Sequence, residues 1–331
     1  MKFCSIIGTR PQYIKLKPLY DFLSTSGHQH IVVDTNQHYD YQVSGSFTDQ
    51  LELKIDHNLG ASNSTKASFL GECTDRIDKF LSCYTPDFVF VFGDTNTTVA
   101  AVMACASAGI RCGHIEAGVR CGDKRRPEEV NRIIADSLSD LQFASRTVDL
   151  DNLNYGTYVG DMEYALLNQR ESAGLIKPIS YDGPLLMTIH RQENVSVYRL
   201  PAIFAYCKKY GGPMLFPIHH RTKAAIDEFS IQVPSNVEVV DPLSYFDTLD
   251  VLSECKGLFT DSGGLTKISP FFGKKSLVPL ESVEWSESFN CGYGHKGTDF
   301  EWFDQPIVPR NKELYHCKYG CETILKRILE L

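Results

Sequence analysis

The sequence predicts an α/β protein of two doubly wound, parallel-sheet domains, and three observations carry that prediction. Short β-branched or aromatic runs alternate with amphipathic helical patterns from end to end, as in parallel sheets covered by helices on both faces. A chain of 331 residues is too long for one comfortable core and suits two domains of ordinary size. The alternation breaks once, at SAGLIKPISYDGP (Ser172 to Pro184), a Gly-, Pro- and Ser-rich stretch that reads as a linker.

In the first series, strands are expected at Phe3–Ile7, Ile31–Asp34, Phe88–Phe92, Cys112–Glu116 and Leu141–Ala144, where β-branched and aromatic residues fill strand-length runs. Helices are expected at Tyr13–Leu23, Lys66–Leu81, Thr98–Ser107 and Glu128–Leu138, whose apolar residues recur at helical spacing. The second series places strands at Leu185–Ile189, Met214–Ile218, Val237–Val240, Leu258–Thr260 and Leu277–Pro279, with helices at Ala202–Tyr210 and Ser244–Glu254. Lys312–Leu331 reads as a terminal helix that packs back on the first domain. The expected organisation is a first domain over residues 1–171, a linker over 172–184, a second domain over 185–311 and that helix over 312–331. In open parallel sheets, ligands bind beyond the carboxyl ends of the strands. With two such domains facing each other, the cleft between them is the expected active site.

Composition narrows the function classes. Apolar residues make up 43% and charged residues 22% of the chain, as in soluble globular proteins. The net charge, 33 − 41 = −8, argues against sequence-independent nucleic-acid binding. The longest apolar runs, such as DFVFVF (Asp87 to Phe92), are strand-length, so no membrane span is expected. The N-terminal apolar run is too short for a signal-peptide core, which implies a cytoplasmic address. Eleven scattered cysteines with no C-x-x-C read as reduced, buried thiols. His316, Cys317 and Cys321 lack a second ligand pair, and no metal site is assigned.

The informative residues follow strands. In GTRPQYIK, Gly8 permits a tight turn and Pro11 suits a first helical turn. Free N–H groups there, with Arg10 and Lys15 beside them, make an anion site; the plain alternative is a strand–turn–helix with solvated bases. Neither G-x-G-x-x-G nor P-loop spacing is present. Asp94 ends the third strand, as a functional carboxylate or as a helix N-cap. The segment HIEAGVRCGDKRRPEEVNR (His114 to Arg132) crowds three glutamates among basic residues. Glu116 ends a strand beside a buried sheet and needs a partner, for which Arg120 is the nearby candidate. Pro127 fits a first helical position, with Glu128 and Glu129 in the first turn. Asp94, Glu116 and Glu128 would lie near one sheet edge, and clustered carboxylates make an acid/base set. In the second domain, His190–Arg191 and His219–His220–Arg221 end successive strands, as in a site for an anion. Ser262, Gly263 and Gly264 offer bare amides at a helix N-terminus, a cradle for a diphosphate.

The motifs GTRP..IK, GDT.T, HIEAG.R, PEE.NR, HR.EN and DSGG occur in this order along nearly the whole chain. With NQHYD (Asn36 to Asp40), this ordered set resembles the non-hydrolysing UDP-N-acetylglucosamine 2-epimerases. The resemblance implies a GT-B-type α/β fold, two Rossmann-like doubly wound domains with an interdomain active-site cleft, in a homodimer. It also implies a UDP-sugar substrate, no cofactor, and chemistry by elimination: a base removes the C2 proton, UDP leaves C1, and UDP re-adds after protonation of the glycal on the other face. In that scheme Asp94, Glu116 and Glu128 are the acid/base set, His190 assists the leaving diphosphate or proton transfer, and Lys15 positions the sugar. Arg10, Arg120, Arg132, Arg191, His219, Ser262, Gly263 and Gly264 would contact substrate or nucleotide. Gln37 and His38 match part of an allosteric site.

Two departures stand out. The family's glutamine and two glutamates after DSGG and one apolar residue are Thr266, Lys267 and Ile268 here, so the ribose-binding glutamate is replaced by Ile268. In LESVEWSE (Leu280 to Glu287) a family arginine becomes Leu280. Glu284–Trp285 and KRRPEEVNRI are closer to the branch acting on UDP-2,3-diacetamido-glucuronic acid, whose carboxylate Arg125 or Arg126 could meet. The expected function is a UDP-N-acetylglucosamine 2-epimerase. The alternatives are that uronate 2-epimerase, a hydrolysing 2-epimerase, a GT-B glycosyltransferase, or a nucleotide-sugar binder that has lost catalysis.

Overall fold

The computed structural model describes residues 1–37, 47–61, 65–280, 283 and 285–331. The chain divides into two compact units: Met1–Gln169 with Tyr315–Leu331, and Arg170–Leu314. Among the described residues, the first unit holds seven strands. They are β1 (Lys2–Ile7), β2 (Gln29–Asp34), β3 (His57–Asn58), β4 (Phe88–Phe92), β5 (Cys112–Ala117), β6 (Leu141–Ala144) and β7 (Gly156–Tyr158). The second holds β8 (Leu185–Thr188), β9 (Met214–Pro217), β10 (Val237–Val240), β11 (Leu258–Thr260), β12 (Ser276–Val278) and β13 (Gly294–Lys296).

The sheet orders are β3-β2-β1-β4-β5-β6-β7 and β10-β9-β8-β11-β12-β13. Every strand pairing is parallel. Both are doubly wound orders with a reversal beside the first strand, between β1 and β4 and between β8 and β11, where ligand crevices form beyond the carboxyl ends. Helices cover both faces of a parallel sheet, and the central β4, FVFVF, is apolar and buried at every position. The expected strands recur within a residue or two, and β3, β7 and β13 are additional. All three are edge strands of two or three residues, too short to carry an apolar period.

Helix starts follow local chemistry. Thr9 and Gln12 form a capping box for the Arg10–Ser24 helix, with Pro11 in its first turn. The Thr95 side chain caps the Asn96–Ala108 helix at Thr98 N, and Gly109 ends it at φ +65°. Pro127 opens the Pro127–Leu138 helix with Glu128 and Glu129 in its first turn. The terminal helix spans Gly320–Leu329, shorter than the periodicity predicts. A Cβ on Gly320 would lie 2.2 Å from the Val159 carbonyl oxygen, so only glycine fits where that helix meets the end of β7. Nearby, Tyr315 packs edge-on against Tyr164. Ser172–Pro184 holds no strand; the Ser180 and Gly183 amides donate to the Ser253 and Glu254 carbonyls within the second unit. No helix among the described residues is long and apolar enough to cross a membrane.

Candidate active site

Glu116 sits where β5 leaves the sheet. The β5–β6 register shifts between Ile115 and Ala117, and Glu116 adopts φ +71°. A non-glycine residue in the left-handed region costs about 1–2 kcal/mol. Such bulges re-aim side chains at strand ends. Here the aimed carboxylate meets Lys15 Nζ at 2.7 Å, both groups largely buried. The turn after β4 closes on the same pair. Gly93 has φ +61°, and a Cβ there would come within 2.8 Å of Lys15 Nζ. The next residue, Asp94, pairs with Arg132 at 2.5 Å, while Asn131 Nδ2 donates to the Asp94 carbonyl at 2.8 Å. Asp94 is therefore not the helix cap; that role is Thr95's.

Several expected pairings differ. Arg120 does not meet Glu116; it binds Asp136 at 2.6 Å. Lys15, on the Arg10–Ser24 helix, takes Glu116 instead, a neighbour 101 residues away in sequence. Arg132 faces carboxylates, Asp94 and also Glu129 at 3.6 Å. The two adjacent glutamates separate: Glu128 is exposed and Glu129 buried. Glu129 accepts the Cys121 and Gly122 amides. Burial raises its carboxyl, but these amides and Arg132 outweigh burial and hold it below its ordinary range. Arg10 is exposed at the helix start. The amides of Gly8 and Thr9 are not free for an anion, because Gln12 Oε1 accepts both at 2.9 and 3.1 Å. Gln37 Oε1 accepts from the Thr97 amide and hydroxyl, and His38 lies outside the described residues. Arg125 forms a surface pair with Asp123. Glu284 is outside the described residues as well.

In the second unit the crevice is organised by Asp261, which is buried. Its carboxylate accepts the His190 and Arg191 amides, at 3.0 and 2.9 Å, and Asn194 Nδ2 at 3.0 Å. His190 Nδ1 lies 3.0 Å away. Burial pushes the Asp261 carboxyl up, but the hydrogen bond and charge of His190, then Asn194 and the Arg191 amide, prevail and lower it. With Nδ1 turned to Asp261, His190 Nε2 is the nitrogen left to handle a proton. His219 serves chiefly as a cap: its Nδ1 accepts the Arg221 amide at 3.2 Å at the start of the His220–Glu228 helix. Burial, then the charges of His220, His190 and Arg221, depress it to about 4, so the ring is neutral at physiological pH. Ser262 caps the short Gly263–Ile268 helix. The Gly263 and Gly264 amides lie in its first turn, where no intrahelical acceptor exists.

A cavity of about 240 Å³ opens beside these residues, lined by His190, His219, Pro217, Pro242, Leu243 and Leu265. Ile268 is buried, and Leu280 joins Arg191, Thr266, Val283 and Trp285 around a smaller hollow. Lys267 is buried with its ammonium 4.9 Å from the Trp285 ring centre.

Sequence reasoning missed Gln12, His114, Asp136 and Asn194. One signal was available: Glu129, Arg132 and Asp136 recur at i, i+3 and i+7 of one helix, a polar stripe that is buried in the structure. Among the described residues, no group of three or more His, Cys, Asp or Glu could hold a metal ion.

Comparison with known proteins bears on the family and the fold. The sequence profile of the UDP-N-acetylglucosamine 2-epimerases matches residues 22–295. The UDP-2,3-diacetamido-2,3-dideoxy-D-glucuronate 2-epimerase of Pseudomonas aeruginosa is 33% identical over 88% of this chain and 87% of its own. The UDP-N-acetylglucosamine 2-epimerase of Methanococcus maripaludis is 30% identical over 86% and 84%. The crystal structure of Methanocaldococcus jannaschii UDP-GlcNAc 2-epimerase in complex with UDP-GlcNAc and UDP covers both chains fully, with a TM-score of 0.85 and 26% identity. The two Rossmann-like units are thus of GT-B type, and the chain belongs to the UDP-N-acetylglucosamine 2-epimerase family.

Proposed function

We propose that this chain is a nucleotide-sugar 2-epimerase that interconverts UDP-N-acetylglucosamine and UDP-N-acetylmannosamine. The observation that carries the reading is the buried Lys15–Glu116 pair, with Glu116 held in a left-handed backbone at a strand end. A carboxylate placed at such cost and beside a cation suits proton transfer. A base takes the C2 proton, the C2 electron pair forms the C1–C2 double bond, and the C1–O bond breaks with its electrons going to UDP. Protonation of the glycal at C2 from the other face, with return of UDP to C1, completes inversion. Asp94, Glu116 and Glu128 would share the two proton transfers, with Lys15 placing the sugar. His190, Arg191, Ser262, Gly263 and Gly264 would hold the departing diphosphate, with Arg10 as a further contact. Arg120, Arg132 and His219 would act through Asp136, Asp94 and the helix cap. A homodimer in the cytoplasm, serving polysaccharide synthesis, completes the reading.

The Pseudomonas relative at 33% identity favours a second substrate, the UDP-diacetamido-uronate. Proton NMR in deuterated water tests both. Deuterium at C2 with UDP-N-acetylmannosamine appearing is the expected result. Free N-acetylmannosamine with UDP would mean a hydrolysing enzyme. Exchange on the diacetamido-uronate alone would move the assignment to that sugar, and no exchange on either would remove the epimerase reading.

A further inference from the structure

We propose that His114 donates from both ring nitrogens and thereby positions both turns bearing the acid/base carboxylates. The part concerning catalysis rests on the epimerase reading. The ring is fully buried. Its Nδ1 lies 2.7 Å from Asp136 Oδ1, and its Nε2 lies 2.7 Å from the Gly93 carbonyl oxygen. A carbonyl oxygen only accepts. Asp136 is an ionised carboxylate and also only accepts: Arg120 Nη2 lies 2.6 Å from its other oxygen, and the Gly118 amide donates to that same oxygen at 3.1 Å. Burial alone would raise the Asp136 carboxyl, but hydrogen bonds and charge from His114 and Arg120 outweigh it. Facing two acceptors, each ring nitrogen must carry a hydrogen, so the ring is a cation. A neutral ring would set a lone pair against an acceptor oxygen in a fully buried site.

The placement gives this cation its role. Nε2 holds the Gly93 carbonyl, one residue before Asp94. Through Asp136, Nδ1 is linked to the Gly118 amide and Arg120, which fix the turn directly after Glu116. The Gly93 amide donates to the Ile115 carbonyl at 3.0 Å, closing the ring of contacts between the two strand ends. His114 touches neither carboxylate; it is a positioning residue. The remaining charges of this region, Lys15 with Glu116 and Arg132 with Asp94, are already paired.

The test has two independent readouts. On wild-type protein without substrate, ring-nitrogen NMR at about pH 7 should show the His114 ring with a hydrogen on each nitrogen. A spectrum in which the His114 ring has a bare nitrogen would overturn the proposal, even if His114 variants do not fold. In folded His114→Gln, which can keep one hydrogen bond but not the charge, kcat for C2 exchange should fall about tenfold or more, with KM within about twofold. An unchanged kcat would equally overturn it. Wild-type protein that shows the doubly protonated ring yet exchanges no C2 proton would refute the epimerase reading and leave the imidazolium standing.

Discussion

The two strand-end clusters use carboxylates in opposite ways. In the first unit, Glu116 and Asp94 face the ends of long side chains, Lys15 and Arg132, brought in from helices far away in sequence. In the second, Asp261 is bound by backbone amides and by Asn194, and its oxygens are spent on holding the His190–Arg191 turn. A carboxylate whose partner is a flexible cation can change partner and accept a proton. One that terminates several backbone N–H groups is part of the fold. The first cluster is accordingly the one suited to proton transfer, and the second to presenting amides and an imidazole to an anion.

The largest effect should come from Glu116→Gln, which keeps shape and removes the basic group. Turnover should fall by about a thousandfold, while calorimetric UDP binding stays within about twofold, since the proposed nucleotide contacts, Arg10 apart, lie in the other unit. Equal losses in turnover and UDP binding would erase the contrast between the clusters. Next, Asp261→Ala leaves two amides and Asn194 without an acceptor. It should destabilise the protein by about 3 kcal/mol, read from the urea midpoint. A loss of activity with an unmoved midpoint would mean that Asp261 belongs to the chemistry instead.

The smallest effect is a pH slope in the second cluster. The ordinary value of the His219 ring, 6.5, is lowered to about 4 in the fold. Between these values the unfolded chain binds more protons than the folded one, so stability falls as pH drops from 6.5 towards 4. The ring is partly exposed, which trims the contribution to about 1 kcal/mol. His219→Asn, which keeps a capping acceptor without a titrating group, should be stable at neutral pH and lose that slope in urea midpoints measured at about pH 7 and about pH 5. A slope equal to that of wild type would assign the pH dependence to other groups.

Much of this architecture was legible. DFVFVF could hardly be other than a buried parallel strand, and Pro127–Glu128–Glu129 reads directly as a helix start. The strand-end positions of Asp94, Glu116, His190 and Ser262 follow from the same alternation. What escaped were the partners. Arg120 is the nearest base to Glu116 along the chain, yet Lys15 is its neighbour in space. Glu128 and Glu129 look equivalent on paper, but adjacent helical residues point about 100° apart, and only one can face inward. The Gly8–Thr9 amides look available until Gln12 folds back onto them.

From the chain alone came the doubly wound class, the family resemblance and the set of residues that reach strand ends, because these depend on local periodicity and on turn chemistry within a few residues. The tertiary structure decided which charge meets which, that Glu116 takes a left-handed backbone, and that His114 and Asp136 join two turns. Those outcomes depend on strand order and helix packing, which bring together residues separated by up to a hundred positions, and no short-range pattern encodes that geometry.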